Sequence, residues 1–306
     1  MKRKRLARFT AGLFASGVLA TSVSAQSPDD LLRLAPATNW NLDYSEDSCA
    51  LRRLFGAEGR QVFLQMRRYG PEDRLVTSIS SADFRRVAHM RRLAVTFAPD
   101  DAPLDDDHPM SIEIEGFGEG IMIDVSLRSA GQRELSAELY DRQQVALAVS
   151  DDERDARESE IEGIRITGLF NQEVYLETGS LHPAMDAMRM CVDELLNHWG
   201  IDAEAHRSLL RPVRSIEQER WSRELIDRYP RNLLRRGEQA YVRIRLNVSV
   251  EGRATDCAVQ SRLNDTQFDE LACELLIEHA RFEPALDGDG LPIASFWQTA
   301  VIYSIN

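Results

Sequence analysis

The chain has 306 residues, 43% of them hydrophobic, with 50 acidic against 37 basic side chains and a formal charge of −13 at neutral pH. So acidic a surface repels phosphate backbones, which excludes nucleic acid as an expected partner. The length suffices for two domains with cores of their own, and beyond the N-terminus no apolar run reaches the ~18 residues that mark a membrane-spanning helix.

Residues 1–25 read as a secretory signal. Lys2, Arg3, Lys4, Arg5 and Arg8 form a basic start, Phe9 to Val23 an apolar stretch, and Val23-Ser24-Ala25 offers small residues for cleavage ahead of Gln26. Helix over the stretch Phe9 to Val23 reaches roughly 22 Å at about 1.5 Å per residue, short of the ~30 Å hydrocarbon core. The expectation is a cleaved signal and an exported chain. The alternative keeps residues 9–23 as an uncleaved anchor, the only form in which the chain meets a membrane. Removing residues 1–25 takes five basic and no acidic side chains, so the mature chain carries 32 basic against 50 acidic groups, a charge of −18. The cysteines are Cys49, Cys191, Cys257 and Cys273, with no CxxC among them. In an exported chain they most simply form two disulfides, in one of three connectivities, with four buried thiols as the alternative.

In chain order, residues 40–178 read as β-rich. Leu51 to Phe55 and Arg60 to Tyr69 flank the turn Gly56 to Gly59, and Val62, Leu64 and Met66 alternate with Phe63, Gln65 and Arg67. Asp83 to Arg92 suggests a short helix, and Asp100 to Pro109 an acidic loop. Ile112 and Ile114 lead into Gly116-Phe117-Gly118-Glu119-Gly120, and Ile121, Ile123, Val125 and Leu127 follow at period two, predicting a second hairpin. Gln132 to Leu147 fits either a helix or a strand pair. Asp151 to Glu162 is so charged that a solvated loop is expected, and Ile164 to Leu169 and Glu173 to Leu176 read as short strands.

The clearest helix follows Ser180, its expected N-cap. Leu181, Ala184, Met185, Met188, Cys191, Val192, Leu195, Leu196 and Trp199 share one face, and Gly200 ends it. It should close the preceding sheet with Cys191 inward. A linker with Pro212 and a second helix from Val213 to Arg228 come next, the latter stopped at Tyr229-Pro230. Val242, Ile244, Leu246, Val248 and Val250 then alternate with Arg243, Arg245, Asn247 and Ser249, a half-buried strand. Glu251-Gly252 turns into a second strand, Arg253 to Gln260. Asn264 or Asp265 can cap a helix bearing Phe268, Leu271, Ala272, Leu275 and Leu276, and Ser295 to Ile305 forms the last strand. The fold class expected is α+β: a β-rich N-terminal domain closed by a helix (26–200), a helical linker (201–224) and a β-β-α-β module (225–306).

Tyr229-Pro230, Leu234-Arg235-Arg236-Gly237, the strand-turn-strand through Gly252, Phe268-Asp269-Glu270-Leu271-Ala272, Arg281-Phe282-Glu283-Pro284-Ala285 and Gly290-Leu291-Pro292 occur in that order. Together they resemble the C-terminal domain of TonB-type energy transducers, over roughly residues 225–306. The resemblance implies a Cys257–Cys273 disulfide between strand two and the helix. A bridge there closes 16 residues and leaves Cys49 with Cys191. It also implies a periplasmic location and an interaction role. Receptors of the outer membrane donate a short strand, the TonB box, to the last strand of such domains, here Ser295, Trp297, Thr299, Val301 and Tyr303. The same residues read equally as the third core strand. Energy transducers also keep a transmembrane anchor that engages ExbB and ExbD, and a long Pro-rich spacer; this chain has a cleavable-looking signal and only Pro212 and Pro230 near its linker. Ala240 and Ser261-Arg262-Leu263 also depart from the family pattern. Residues 26–200 resemble N-terminal regions joined to this module in related periplasmic proteins.

No catalytic, metal or cofactor constellation emerges. Gly116 to Gly120 lacks the helix a phosphate loop needs, and Asp287-Gly288-Asp289-Gly290 lacks the remaining ligands of a calcium loop. His89, His108, His182, His198, His206 and His279 form no HxH or HExxH pair, and Glu113 and Glu115 share a strand face without a partner group. Three readings follow. The first is a non-enzymatic periplasmic protein pairing with a TonB-box-like peptide or another envelope protein. The second is an anchored energy transducer facing the periplasm. The third is a hydrolase-type activity in residues 30–200, which a deep pocket of convergent ionisable groups would support.

Overall fold

The computed structural model describes residues 31–82, 93–99, 109–141, 149–170, 172–228, 230–238, 240–263 and 266–303. The signal segment, the helix expected at Asp83–Arg92, the acidic loop up to residue 108 and the cap at Asn264 or Asp265 lie outside these residues. Among the described residues no helix is long and apolar enough to cross a membrane.

The N-terminal part begins with β1 (Leu32–Leu34), β2 (Asn41–Ser45), β3 (Ser48–Phe55), β4 (Val62–Arg68), β5 (Arg74–Ser81), β6 (Ala94–Ala98), β7 (Met110–Ile114) and β8 (Gly118–Ser126). Both hairpins form at the expected turns, β3 with β4 and β7 with β8. After α1 (Ala130–Asp141) and α2 (Asp151–Glu160) come β9 (Gly163–Thr167), β10 (Val174–Leu176) and α3 (His182–His198). The strands make a six-stranded sheet, β2-β3-β4-β5-β8-β7, and a four-stranded sheet, β1-β10-β9-β6. Leu64, Met66 and Ile79 of the first sheet, Phe97 and Ile166 of the second, and Met185 and Met188 of α3 belong to one core. The Cys49–Cys191 disulfide ties β3 to α3 through the same core.

Two expectations are corrected, and one left open is decided. The segment Asp151 to Glu162 is not a loop: as far as Glu160 it is α2. Ser150 accepts from the Glu153 N–H while the Glu153 carboxylate accepts from the Ser150 N–H, a reciprocal capping box. Asp151, Asp152 and Glu153 sit where the helix dipole favours negative charge. The high charge that suggested solvent is therefore what starts the helix. Second, the N-cap of α3 is Leu181 with no side-chain cap; Ser180 Oγ only accepts from His182 N at 3.4 Å, and Pro183 sits in the first turn, where its missing N–H costs nothing. Of the two alternatives for Gln132–Leu147, the helix forms as far as Asp141; residues 142–148 lie outside the described residues.

Past α3, the short α4 (Ala203–Arg207) is capped by Asp202. The expected helix from Val213 starts later: β11 (Arg214–Ile216) comes first, then α5 (Gln218–Asp227) and α6 (Arg231–Arg236). β11 is a strand because it pairs, antiparallel, with β14 (Arg281–Glu283), a partner 65 or more positions away that no local periodicity reveals. The rest is β12 (Ala240–Val248), β13 (Ala254–Leu263), α7 (Gln267–His279), β14, β15 (Ala285–Leu286), β16 (Pro292–Ile293) and β17 (Ser295–Tyr303). A three-stranded sheet, β13-β12-β17, carries α7 on one face. Val242, Ile244 and Leu246 meet Phe268, Ala272 and Leu275 there, with Trp221 of α5 completing the cluster. The Cys257–Cys273 disulfide joins β13 to α7. Gly252, at φ +73°, holds the β12–β13 turn; a Cβ there would lie 1.9 Å from the Phe282 carbonyl, so only glycine permits this close approach.

Loop closure ranks the two disulfides. By chain entropy the 142-residue separation of Cys49–Cys191 is worth about 5 kcal/mol and the 16-residue separation of Cys257–Cys273 about 3 kcal/mol. Double replacement Cys49→Ala with Cys191→Ala should therefore lower the urea unfolding free energy more than Cys257→Ala with Cys273→Ala. The opposite ranking would show that local packing around each bridge, not loop closure, sets its worth.

Candidate functional site

A strand at the end of a sheet presents unpaired backbone N–H and C=O groups along its outer side. β12 is the centre of the C-terminal sheet, so β13 and β17 are its edges. β17 pairs with β12 without interruption from Ala240↔Tyr303 to Val248↔Ser295. The β12–β13 ladder, by contrast, shifts register twice, at Arg243/Ile244 and Asn247/Val248. β17 is thus the regular edge, and among the described residues no strand pairs with its outer side.

The side chains of β17 divide at period two. Ser295, Trp297, Thr299, Val301 and Tyr303 share the face toward α7. Tyr303 lies in the core against Phe268 at 4.6 Å, and Trp297 packs on Trp221 at 5.6 Å and Phe282 at 5.2 Å. Trp297, Val301 and Tyr303 fix the strand from behind, leaving its backbone edge to make any strand-to-strand contact.

Phe296, Gln298, Ala300 and Ile302 share the other face, which the N-terminal part covers at Phe296 and Gln298 while Ile302 stays exposed. Phe296 packs against Trp199 after α3 at 5.6 Å and stacks on His206 of α4 at 5.2 Å. Gln298 Nε2 donates to the Tyr69 carbonyl and to Gln260 Oε1 (2.9 Å), and Gln260 Nε2 donates to the carbonyls of Asp47 and Tyr69, each at 3.2 Å. The arginines of β12 join them: Arg243 lies over the Tyr69 ring (4.9 Å) and 3.8 Å from Asp124, and Arg245 lies over the Trp199 ring (4.2 Å) and 3.9 Å from Asp47. Burial pushes the Asp47 carboxyl above its ordinary range, which Arg245 opposes, and burial pushes the Arg245 guanidinium down, which Asp47 opposes. Cation–π contact is strongest where water is excluded, as it is here for Arg245, 6% exposed.

The motifs considered for chemistry resolve as structure. Gly116 to Gly118 is the β7–β8 turn. Asp287 Oδ1 accepts from the N–H groups of Asp289 (3.0 Å) and Leu291 (2.8 Å), so its carboxylate organises a turn. Asp155, Glu158 and His182 bring ligand-type atoms within 4.8 Å of one another. Arg189 donates to both oxygens of Glu158 at 2.8 Å, however, and this cation already neutralises the group. His89 and His108 lie outside the described residues; Glu113 stands in β7 opposite Glu119, and Glu115 lies in the β7–β8 turn. A cavity of about 500 Å³ between the β4–β5 turn, α2 and α3 is lined by arginines and carboxylates from distant stretches of sequence, and no sequence motif marks it.

Residues 227–305 match the family model of the Gram-negative bacterial TonB protein C-terminal. No curated protein matches the chain. The C-terminal part is therefore a TonB C-terminal domain on an α+β chain, a non-enzymatic, transport-associated kind of domain. Domains of this family interact with outer-membrane receptors and other proteins of the cell envelope.

The seam between the two parts carries a pH dependence. Burial pushes the His206 imidazole below its ordinary 6.5, so the folded protein holds that proton less readily than the unfolded chain. Its contribution is complete above pH 6.5 and falls as the pH drops below 6.5 toward the folded value. Compared with His206→Phe, which keeps a ring on Phe296 without a titrating group, the wild type should lose stability progressively below pH 6.5. Urea unfolding at stepped pH measures this; parallel curves for the two proteins would mean the seam does not perturb His206.

Proposed function

We propose that the chain is an exported, non-enzymatic protein of the periplasm that takes part in transport-associated interactions by strand pairing. The C-terminal domain captures an extended segment, a TonB-box-like peptide of an outer-membrane receptor or another envelope protein, along the outer edge of β17. The observation that carries this reading is that edge: it is unbulged in register from Ser295 to Tyr303, with Trp297, Val301 and Tyr303 packed against the helix side behind it. Main-chain hydrogen bonds supply affinity in this mode, and neighbouring side chains supply selectivity. In this reading residues 26–200 form the first domain, 201–224 the linker and 225–306 the binding domain. The first domain is a brace: it grips Phe296 and Gln298 and so orients the edge.

The hydrolase-type reading for the N-terminal part finds a cavity but little support from its lining. Glu72, its carboxyl raised by burial, has no histidine, serine or cysteine beside it among the described lining residues. Asp186 meets Arg189 at 3.4 Å, and Asp73, Asp151, Glu158 and Asp193 each face an arginine within 3.0 Å. A carboxylate so neutralised is a poor general base. The anchored-transducer reading depends on residues 9–23 staying in place.

Two measurements test the proposal. A TonB-box-type peptide should bind the full mature chain and bring hydrogen-exchange protection to residues 295–303. The same peptide N-methylated at alternate residues should not, since it cannot complete the ladder; equal binding by both would rule out strand pairing. Mass spectrometry of the native protein should find Gln26 as the first residue. An intact N-terminus would instead favour the anchored transducer.

A further inference from the structure

β4 places Val62, Leu64 and Met66 in the core at period two, and the next inward position is Arg68. Cross-strand pairing confirms the face: Arg68 stands opposite Cys49, whose disulfide reaches α3. The Arg68 side chain is 5% exposed, yet its nearest carboxylate, Asp73, is 3.9 Å away and its Nε has no hydrogen-bond partner. Burial presses this guanidinium below its usual value, and Asp73 opposes that. A buried guanidinium whose Nε lacks a partner and whose nearest carboxylate is a loose one is a costly group for a core to hold.

Arg68 is part of the wall of the cavity of about 500 Å³, within the range of small-molecule sites. The other charges of that wall are largely mutually satisfied: Arg128 with Asp73 at 2.7 Å, Arg189 with Glu158 at 2.8 Å, Arg154 with Asp151 at 2.8 Å, and Arg207 with Asp193 at 3.0 Å. Asp73 is engaged twice over, accepting from Ser126 Oγ at 2.8 Å as well, which leaves Arg68 as the cation it serves least. Glu72 also lines the cavity, its carboxyl pushed above the ordinary range by burial, which Arg243 and Arg68 oppose, and Leu127, Val149, Met190 and Val192 supply apolar wall.

We propose that this cavity binds a small carboxylate with an apolar body, its carboxylate clasped by the guanidinium of Arg68. The planar fork of arginine matches two carboxylate oxygens, and burial strengthens both hydrogen bonds. A single negative charge fits best, because the other arginines of the wall are held by their own carboxylates or backbone carbonyls and Arg68 alone can answer the ligand's charge. The remainder of the ligand lies on the apolar wall. The site is independent of strand pairing at β17.

Calorimetry on the full mature chain tests this with benzoate and butyrate as probes, and with benzyl alcohol and inorganic phosphate as comparisons. Benzoate and butyrate should bind saturably, and benzyl alcohol and phosphate at least about tenfold more weakly, since a charged hydrogen-bonded pair is worth a factor of that order. Arg68→Met should keep the unliganded fold by circular dichroism, with an unchanged or higher melting temperature, and lose benzoate binding about tenfold or more. Should Arg68→Met not fold, Arg68→Lys carries the test: it keeps the charge without the fork and should weaken benzoate by a similar factor. Absence of saturable carboxylate binding, phosphate binding as tight as benzoate, or undiminished binding in the variant that folds would each overturn the proposal.

Discussion

A three-stranded sheet has two faces and one helix to cover them, and the second face decides how this molecule is built. On β12 and β17 that face carries Phe296 and, beside it, Arg243, Arg245 and Gln298, polar groups that cannot be buried without partners. The N-terminal part supplies them: the rings of Tyr69 and Trp199, the carboxylates of Asp47 and Asp124, and the carbonyl of Tyr69. Dispersion and cation–π contact offset the loss of hydration that burying two guanidinium groups entails. The orientation of the β17 edge, and hence whatever can reach it, follows from this seam.

Much of this architecture was readable from periodicity. The stripe Val242, Ile244, Leu246 and Val248, the helix face from Ala184 to Leu196, and both N-terminal hairpins form as their spacing implies, because each is decided by local pattern and one-sided burial. What escaped the reading depended on distant or reciprocal groups. β11 is a strand only because β14 lies beside it, and α2 is a helix because Ser150 and Glu153 cap each other despite a charge density that suggests solvent. The polar face of β12 reads as solvated, since alternation shows that Arg243 and Arg245 face away from the apolar core but not that another protein surface lies there.

The candidate sites divide in the same way. The edge of β17 follows from strand order, which the order β-β-α-β and the resemblance to a known domain together suggest. The cavity does not, because its walls come from β4, the start of α1, α2, α3 and α4, and its single informative residue, Arg68, differs from an ordinary exposed arginine only in strand parity. Counting by twos from Met66 is the one local signal that could have singled it out. The physical meaning of that parity, a charge placed where the stripe calls for a hydrocarbon, emerges once Asp73 is seen to be committed to Arg128.

The placement of the covalent links has a mechanical corollary. Cys49–Cys191 lies wholly on one side of the seam and Cys257–Cys273 wholly on the other, and the described cysteines leave none to span it. Each half is thus a riveted plate, while the joint between them is a clasp of rings, amides and two guanidinium groups. Under tension applied through a strand added to β17, the clasp is the element that slips first, and both plates survive to close again.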